Sequence, residues 1–132
     1  MATMSFDLEH GLPFGKGRDA EMQYDVELRE LTAGDVIDAR LAAERVSIIP
    51  DESGVPRPVA YHSDIIMGLE LLRRQVKCIG VIQGPLSMKE LQRLHLEDLQ
   101  LLESKASDLD QAMSEAWGEE TQARGRHDAS GN

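Results

Sequence analysis

The sequence predicts an α+β fold: an N-terminal β-hairpin packed against three or four α-helices, followed by a disordered acidic C-terminal tail. Three observations carry that expectation. Polar and apolar residues alternate over 5–31, as they do in half-buried strands. Apolar residues then recur three and four apart over 63–79 and 87–115, the spacing of one helix face. The composition is 41% apolar but only 4% aromatic, so the core must be built from Leu, Ile, Val and Met. A chain of 132 residues suits one compact domain, 1–117, and a polar tail, 118–132, rather than two full domains.

Each element has its own signal. In "SFDLEHGLPF", Phe6 and Leu8 lie two apart, as do Leu12 and Phe14, with His10 and Gly11 between. "GKGRDA" is loop chemistry. In "MQYDVELREL", Met22, Tyr24, Val26, Leu28 and, after a slip, Leu31 fall near one face. A lone hairpin is marginal in water, so its apolar face must pack on the helices that follow. Thr32 is a good N-cap and Asp35 stands three residues later, a capping box with Asp in place of the usual Glu or Gln. A helix is therefore expected over 33–46, with Asp35 and Asp38 complementing its dipole. "SIIPDESGVPRPVAYHS" carries three prolines and reads as an irregular loop. From the N-cap Ser63, the row Ile65, Leu69, Leu72, Val76 and Ile79 predicts a helix over 63–79 ended by Gly80. Ser87 and Glu90 form a second capping box, opening helical structure over 87–115 in which a short first helix, 88–94, runs on or bends near His95.

Charge and motif content narrow the function. The net charge of −10 repels nucleic-acid phosphate and anionic membranes, so neither is expected as a partner. The N-terminus lacks the basic-then-apolar order of a signal peptide, and no apolar run reaches the ~20 residues of a membrane span. The single cysteine, Cys78, reads as a small buried hydrophobe. The four histidines are scattered over hairpin, loop, helix and tail, and none has the HExxH spacing. Gly15 and Gly17 belong to a hairpin loop and not to a phosphate loop. Asp35 and Asp38 are explained by capping better than by acid–base work. No catalytic, cofactor or metal site is expected, and no enzymatic activity.

What remains are interaction signals. The last helix carries the apolar row Leu99, Leu102, Ala106, Leu109 and Met113, flanked by acids. Leu99, Leu102, Leu109 and Met113 are the candidate residues for gripping a partner helix.

The order of parts resembles a known family. Leu12 and Pro13 open the hairpin. Leu28, Arg29, Leu31, Thr32, Gly34, Asp35, Ile37, Asp38 and Ala39 match an "LR.LT.GDEIDA"-like stretch. Leu94, Asp98, Leu99 and Leu102 match a late "L...DL..L" stretch. This pattern is similar to the tail assembly chaperones of phage Mu and Mu-like prophages. It departs from that pattern at Val36, where an acid is common, and in the order His-Gly-Leu-Pro. The resemblance implies a non-catalytic protein that binds the tape measure protein and assists polymerisation of tail tube protein around it. It would act in the cytoplasm of the bacterial host during phage assembly. Homo-oligomerisation is left open. The alternative is an acidic phage- or prophage-encoded regulatory protein that inhibits a host or nucleic-acid-binding partner.

Overall fold

The computed structural model describes the backbone of residues 2–130 and the side chains of residues 2–118. The expected tail over 118–132 falls almost entirely on residues whose side chains lie outside that range. The fold is mixed α+β, with the expected hairpin at its start. Strand β1, Thr3–Phe14, pairs antiparallel with β2, Glu21–Arg29, across a short 3-10 turn at Gly17–Asp19. The pairing slips between Asp7 and Leu12, which face Asp25 and Gln23. The extra β1 residues form a bulge. Gly11 in it takes φ +85°, a region open to glycine, and a Cβ there would meet Gln23 O and the Tyr24 ring at 3.0 Å.

Helix α1, Ala33–Ala42, begins at the predicted Thr32 cap. Its expected continuation to residue 46 is corrected. Strand β3, Glu44–Pro50, starts there and pairs with β4, Pro56–His62. The stretch read as a proline loop is thus a second hairpin. Val46, Ile48, Ile49 and Val59 are β-branched and favour the extended chain.

Helix α2, Asp64–Gln75, is capped by Ser63 as expected, but it ends four residues early. Val76–Ile79 is strand β5, which pairs with β2 on one side and with the short β6, Ile82–Gln83, on the other. A bulge explains the misleading spacing. Leu28 faces Val76 and Val26 faces Ile79, so β5 uses one residue more than β2. Both Val76 and Ile79 therefore face the core at a separation of three, which imitates a helix. Helix α3, Met88–Gln92, and helix α4, Leu96–Ser130, follow; of the two alternatives, the chain breaks rather than runs on before His95.

The four-stranded sheet has the order β1-β2-β5-β6. Its inner face, α2, α3 and α4 enclose one core containing Leu8, Leu12, Val26, Leu28, Leu72, Val76, Ile79, Ile82, Leu86, Leu91, Leu102 and Leu109. Asp98, wholly buried in the first turns of α4, fastens that helix to the β1 bulge. Its carboxylate accepts the backbone N–H groups of Glu9 at 2.8 Å, His10 at 3.0 Å and Gly11 at 2.9 Å. Three otherwise orphaned donors are satisfied by one charge-bearing side chain. Arg73 and Arg74 both hold the buried Glu70, and Arg73 also donates to Leu86 O at 3.2 Å, tying α2 to the segment before α3.

Candidate partner-binding surfaces

Helices α2 and α4 meet along an open groove of about 490 Å³. Ile65, Leu69, Leu71 and Leu72 of α2 and Ala106 of α4 supply its apolar lining. Asp64, Glu103 and Asp110 stand around it as acids, all on exposed positions. Gly68 leaves a gap in the α2 wall, where an added Cβ would meet nothing within 4 Å. Gln75, buried, donates to Asp110 Oδ1 at 3.0 Å and bridges the two helices. Past Leu31 and Asp110 lies a smaller depression of about 200 Å³, lined also by Glu30, Met113 and Trp117. Trp117 is largely exposed. An apolar floor with acidic margins has the chemistry to hold an amphipathic helix that carries basic flanks.

The expectation for this region is partly reversed. Ile65, read as the first core residue of its seam, is 78% exposed and belongs to the groove. Leu102 and Leu109, read as facing a partner, are buried in the core, while Leu99 and Met113 are half-buried against it. The row on α4 packs into the same core as Leu8 and Leu12 of β1 and Val76 and Ile79 of β5. Of those four residues, Met113 lines an outer depression.

A second apolar surface is the β3–β4 arm. Every β4 residue is exposed, and so is every β3 residue except Ser47. Val46, Ile48, Ile49, Val59 and Tyr61 all lie in solvent, Ile48 at 71%. Ile37 and Leu41 of α1 are exposed as well, although α1 buries the small Ala39 and Ala43. At the tip of the arm, Asp51 accepts from Ser53 N and Oγ, Val55 N and Arg57 Nε. The Ser53 hydroxyl and its companions hold the Asp51 carboxyl down at about 2. No sequence signal marked the arm as a surface, because the proline content pointed to an irregular loop.

The fold also joins two histidines that are far apart in sequence. The rings of His10 and His95 stack with centroids 3.6 Å apart and 13° between planes. Glu97 Oε2 lies 3.4 Å from His10 Nε2, and that contact holds the Glu97 carboxyl below its ordinary range. Among the described residues these three form the one group whose ligand atoms lie within 4.8 Å of one another. Parallel rings aim their lone pairs side by side and not at a shared point. His95 Nδ1 already accepts the Glu97 N–H at 3.1 Å. The group therefore works as a cap on α4.

Comparison with known proteins decides the family. Residues 8–126 match the family described as tail assembly protein gp41. The chain belongs to the Mu gp41 tail assembly protein family. It is 48% identical over 119 residues to probable tail assembly protein gp41 of Escherichia phage Mu, covering 90% of this chain and 77% of that one. It is 41% identical over 125 residues to the Mu-like prophage FluMu protein gp41 of Haemophilus influenzae, covering 95% of this chain and 89% of that one. The same phage Mu has a longer relative, probable tail assembly protein FS-gp41, which is 48% identical over 118 residues. That match covers 89% of this chain and 58% of the relative. No solved structure matches. Groove, arm and the Asp98 clasp all lie within the part of the chain that defines it as a gp41 family member. That family is named for assembling a tail and not for a reaction. Among the described residues no helix is long and apolar enough to cross a membrane.

Proposed function

We propose that this chain is a tail assembly chaperone that binds the tape measure protein in the host cytoplasm before tail tube protein encloses it. The groove between α2 and α4 carries the reading. It offers apolar side chains to a helix while Asp64, Glu103 and Asp110 favour one with basic flanks. A tape measure, as a long helical protein, would expose apolar helix until the tube forms. The groove is open and shallow, which suits a contact that is modest, repeated along the partner and later released.

The test is co-expression with the tape measure protein of the same phage, followed by affinity capture. Gly68→Leu places a side chain in the gap of the α2 wall. Because an added Cβ there meets nothing and Leu is a better helix former than Gly, the fold should survive. Wild type should keep the tape measure soluble and co-purify with it, and Gly68→Leu should lose that capture. A folded Gly68→Leu variant that captures as well as wild type overturns the assignment of the groove. A wild type that leaves the tape measure insoluble overturns the function.

A further inference from the structure

We infer that the outer edge of β3 is an interface at which two copies of this chain pair antiparallel across a two-fold axis. The register of the arm determines which of its backbone groups point outward. The register runs from Glu44 opposite His62 to Pro50 opposite Pro56. Two hydrogen bonds bracket that ladder: Ser63 N–H donates to Ala43 O at 3.0 Å, and Asp51 N–H donates to Val55 O at 2.9 Å. Both belong to odd-numbered pairs. Antiparallel pairs alternate between bonded and non-bonded. Hence Arg45 with Tyr61, Ser47 with Val59 and Ile49 with Arg57 bond to each other inside the arm. The even-numbered residues turn their backbone groups away from it.

The two outer edges then differ in chemistry. On β4 the outward positions Pro56 and Pro58 have no N–H to give, so the tip half of that edge is blocked, while Ala60 and His62 keep theirs. On β3 the outward positions Val46 and Ile48 keep both donor and acceptor, Pro50 at the far end has no N–H, and the Glu44 carbonyl already accepts from Arg45 Nη1 at 2.7 Å; among the described residues β3 pairs only with β4. Val46 and Ile48 form a central unblocked stretch on β3, whereas Pro58 interrupts the middle of the β4 edge, which favours a closed β3–β3 pair over a sheet extended through β4.

Charge and sequence name the occupant as a second copy. The whole chain carries −10, but β3 and β4 hold one acid, Glu44, against two bases, Arg45 and Arg57. With Asp51 and Glu52 at its tip the arm carries three acids against two bases, a small share of the whole charge, so two acidic chains can approach along its strands with little repulsion. The β3 edge is also self-complementary. Centred on Ser47, antiparallel pairing sets Val46 opposite Ile48 of the second copy, and the reverse. Each of these pairs can exchange both backbone bonds, and each matches two β-branched side chains. The resulting four-stranded sheet relieves an arm that is only marginally stable alone.

The experiment is sedimentation velocity on the full chain over a concentration series, with circular dichroism and urea unfolding as controls for the fold. Wild type should pass from monomer to dimer as concentration rises. Ile48→Pro removes one outward donor without touching the bonds inside the arm, and it should abolish the dimer while the urea midpoint stays in place. Val46→Glu with Ile48→Glu serves as a second variant should the proline disturb the arm. It sets like charges opposite each other and should abolish the dimer equally. A wild type that stays monomeric at every concentration overturns the inference. So does a dimer that persists in the folded variants.

Discussion

The Thr32 box shows how far a single side chain can reach. Thr32 Oγ1 accepts from Asp35 N at 3.1 Å, and Asp35 Oδ2 accepts from Thr32 N at 2.8 Å. Arg29 closes on the same carboxylate with two bonds, at 2.7 and 3.0 Å. The end of β2 is thereby joined to the start of α1. The box was legible because its members stand three residues apart. The clasp at Asp98 was not, because its donors lie nearly ninety residues away and leave no local trace. Asp35 and Glu70 bear on the acid response. The Arg29 guanidinium beside Asp35 holds its carboxyl far below the usual carboxylate range. For Glu70, burial is the largest cause and acts upward, but the hydrogen bonds from Arg74 and Arg73 together outweigh it and the net direction is down. A depressed folded-state pKa contributes stability that is present above the unfolded value and lost as pH falls. Stability should therefore decline as pH falls below about 4, near where free carboxyls titrate. The destabilisation caused by Asp35→Asn should shrink over that same window, which urea unfolding at a series of pH values would read. A difference that stays constant from neutral to acid pH would remove Asp35 from the account.

At the level of elements, periodicity was reliable where a helix was real and misleading where a bulge imitated one. Leu72 belongs to α2 and Val76 and Ile79 to β5, yet one three–four rhythm runs through all of them. Turn geometry separates the two. Gly80 at φ +57° turns β5 into β6, and Gly84 closes the turn after β6, donating its N–H to Lys77 O at 2.8 Å. A Cβ on Gly84 would overlap the Val76 carbonyl oxygen and lie 2.9 Å from that of Lys77. Both are backbone atoms of β5 and cannot swing aside. Gly84→Ala should therefore cost at least the ~1–3 kcal/mol of an overpacked site, measured by urea unfolding. Gly68→Ala is the contrasting case. Its surroundings are open, so the better helix former should gain up to about 1 kcal/mol. Equal effects at both glycines would mean that β5 and β6 are not held as described.

For the whole molecule, the fold class and part of the core were legible: Leu72 and Val76 are buried, but Ile65 is exposed and Leu102 and Leu109 lie inside. Alternation and capping are local, so the N-terminal hairpin and the starts of three helices were legible. Which side of a helix becomes core depends on what the sheet presents to it. Here Leu8 and Leu12 of β1, Val76 and Ile79 of β5, and Leu102 and Leu109 of α4 share one core. The start of α2 has no such neighbour, and Ile65 is left on the rim of the groove. This inversion is measurable in one pair of variants. Leu102 is 0% exposed, so Leu102→Ala should cost about 2–5 kcal/mol, the range for emptying a buried leucine. Ile65→Ser, on a side chain 78% exposed, should change stability by no more than roughly 0.5 kcal/mol while weakening capture of the tape measure. A large loss of stability at Ile65 would put the start of α2 into the core and remove Ile65 from the groove lining. A small loss at Leu102 would free the α4 row to face a partner after all.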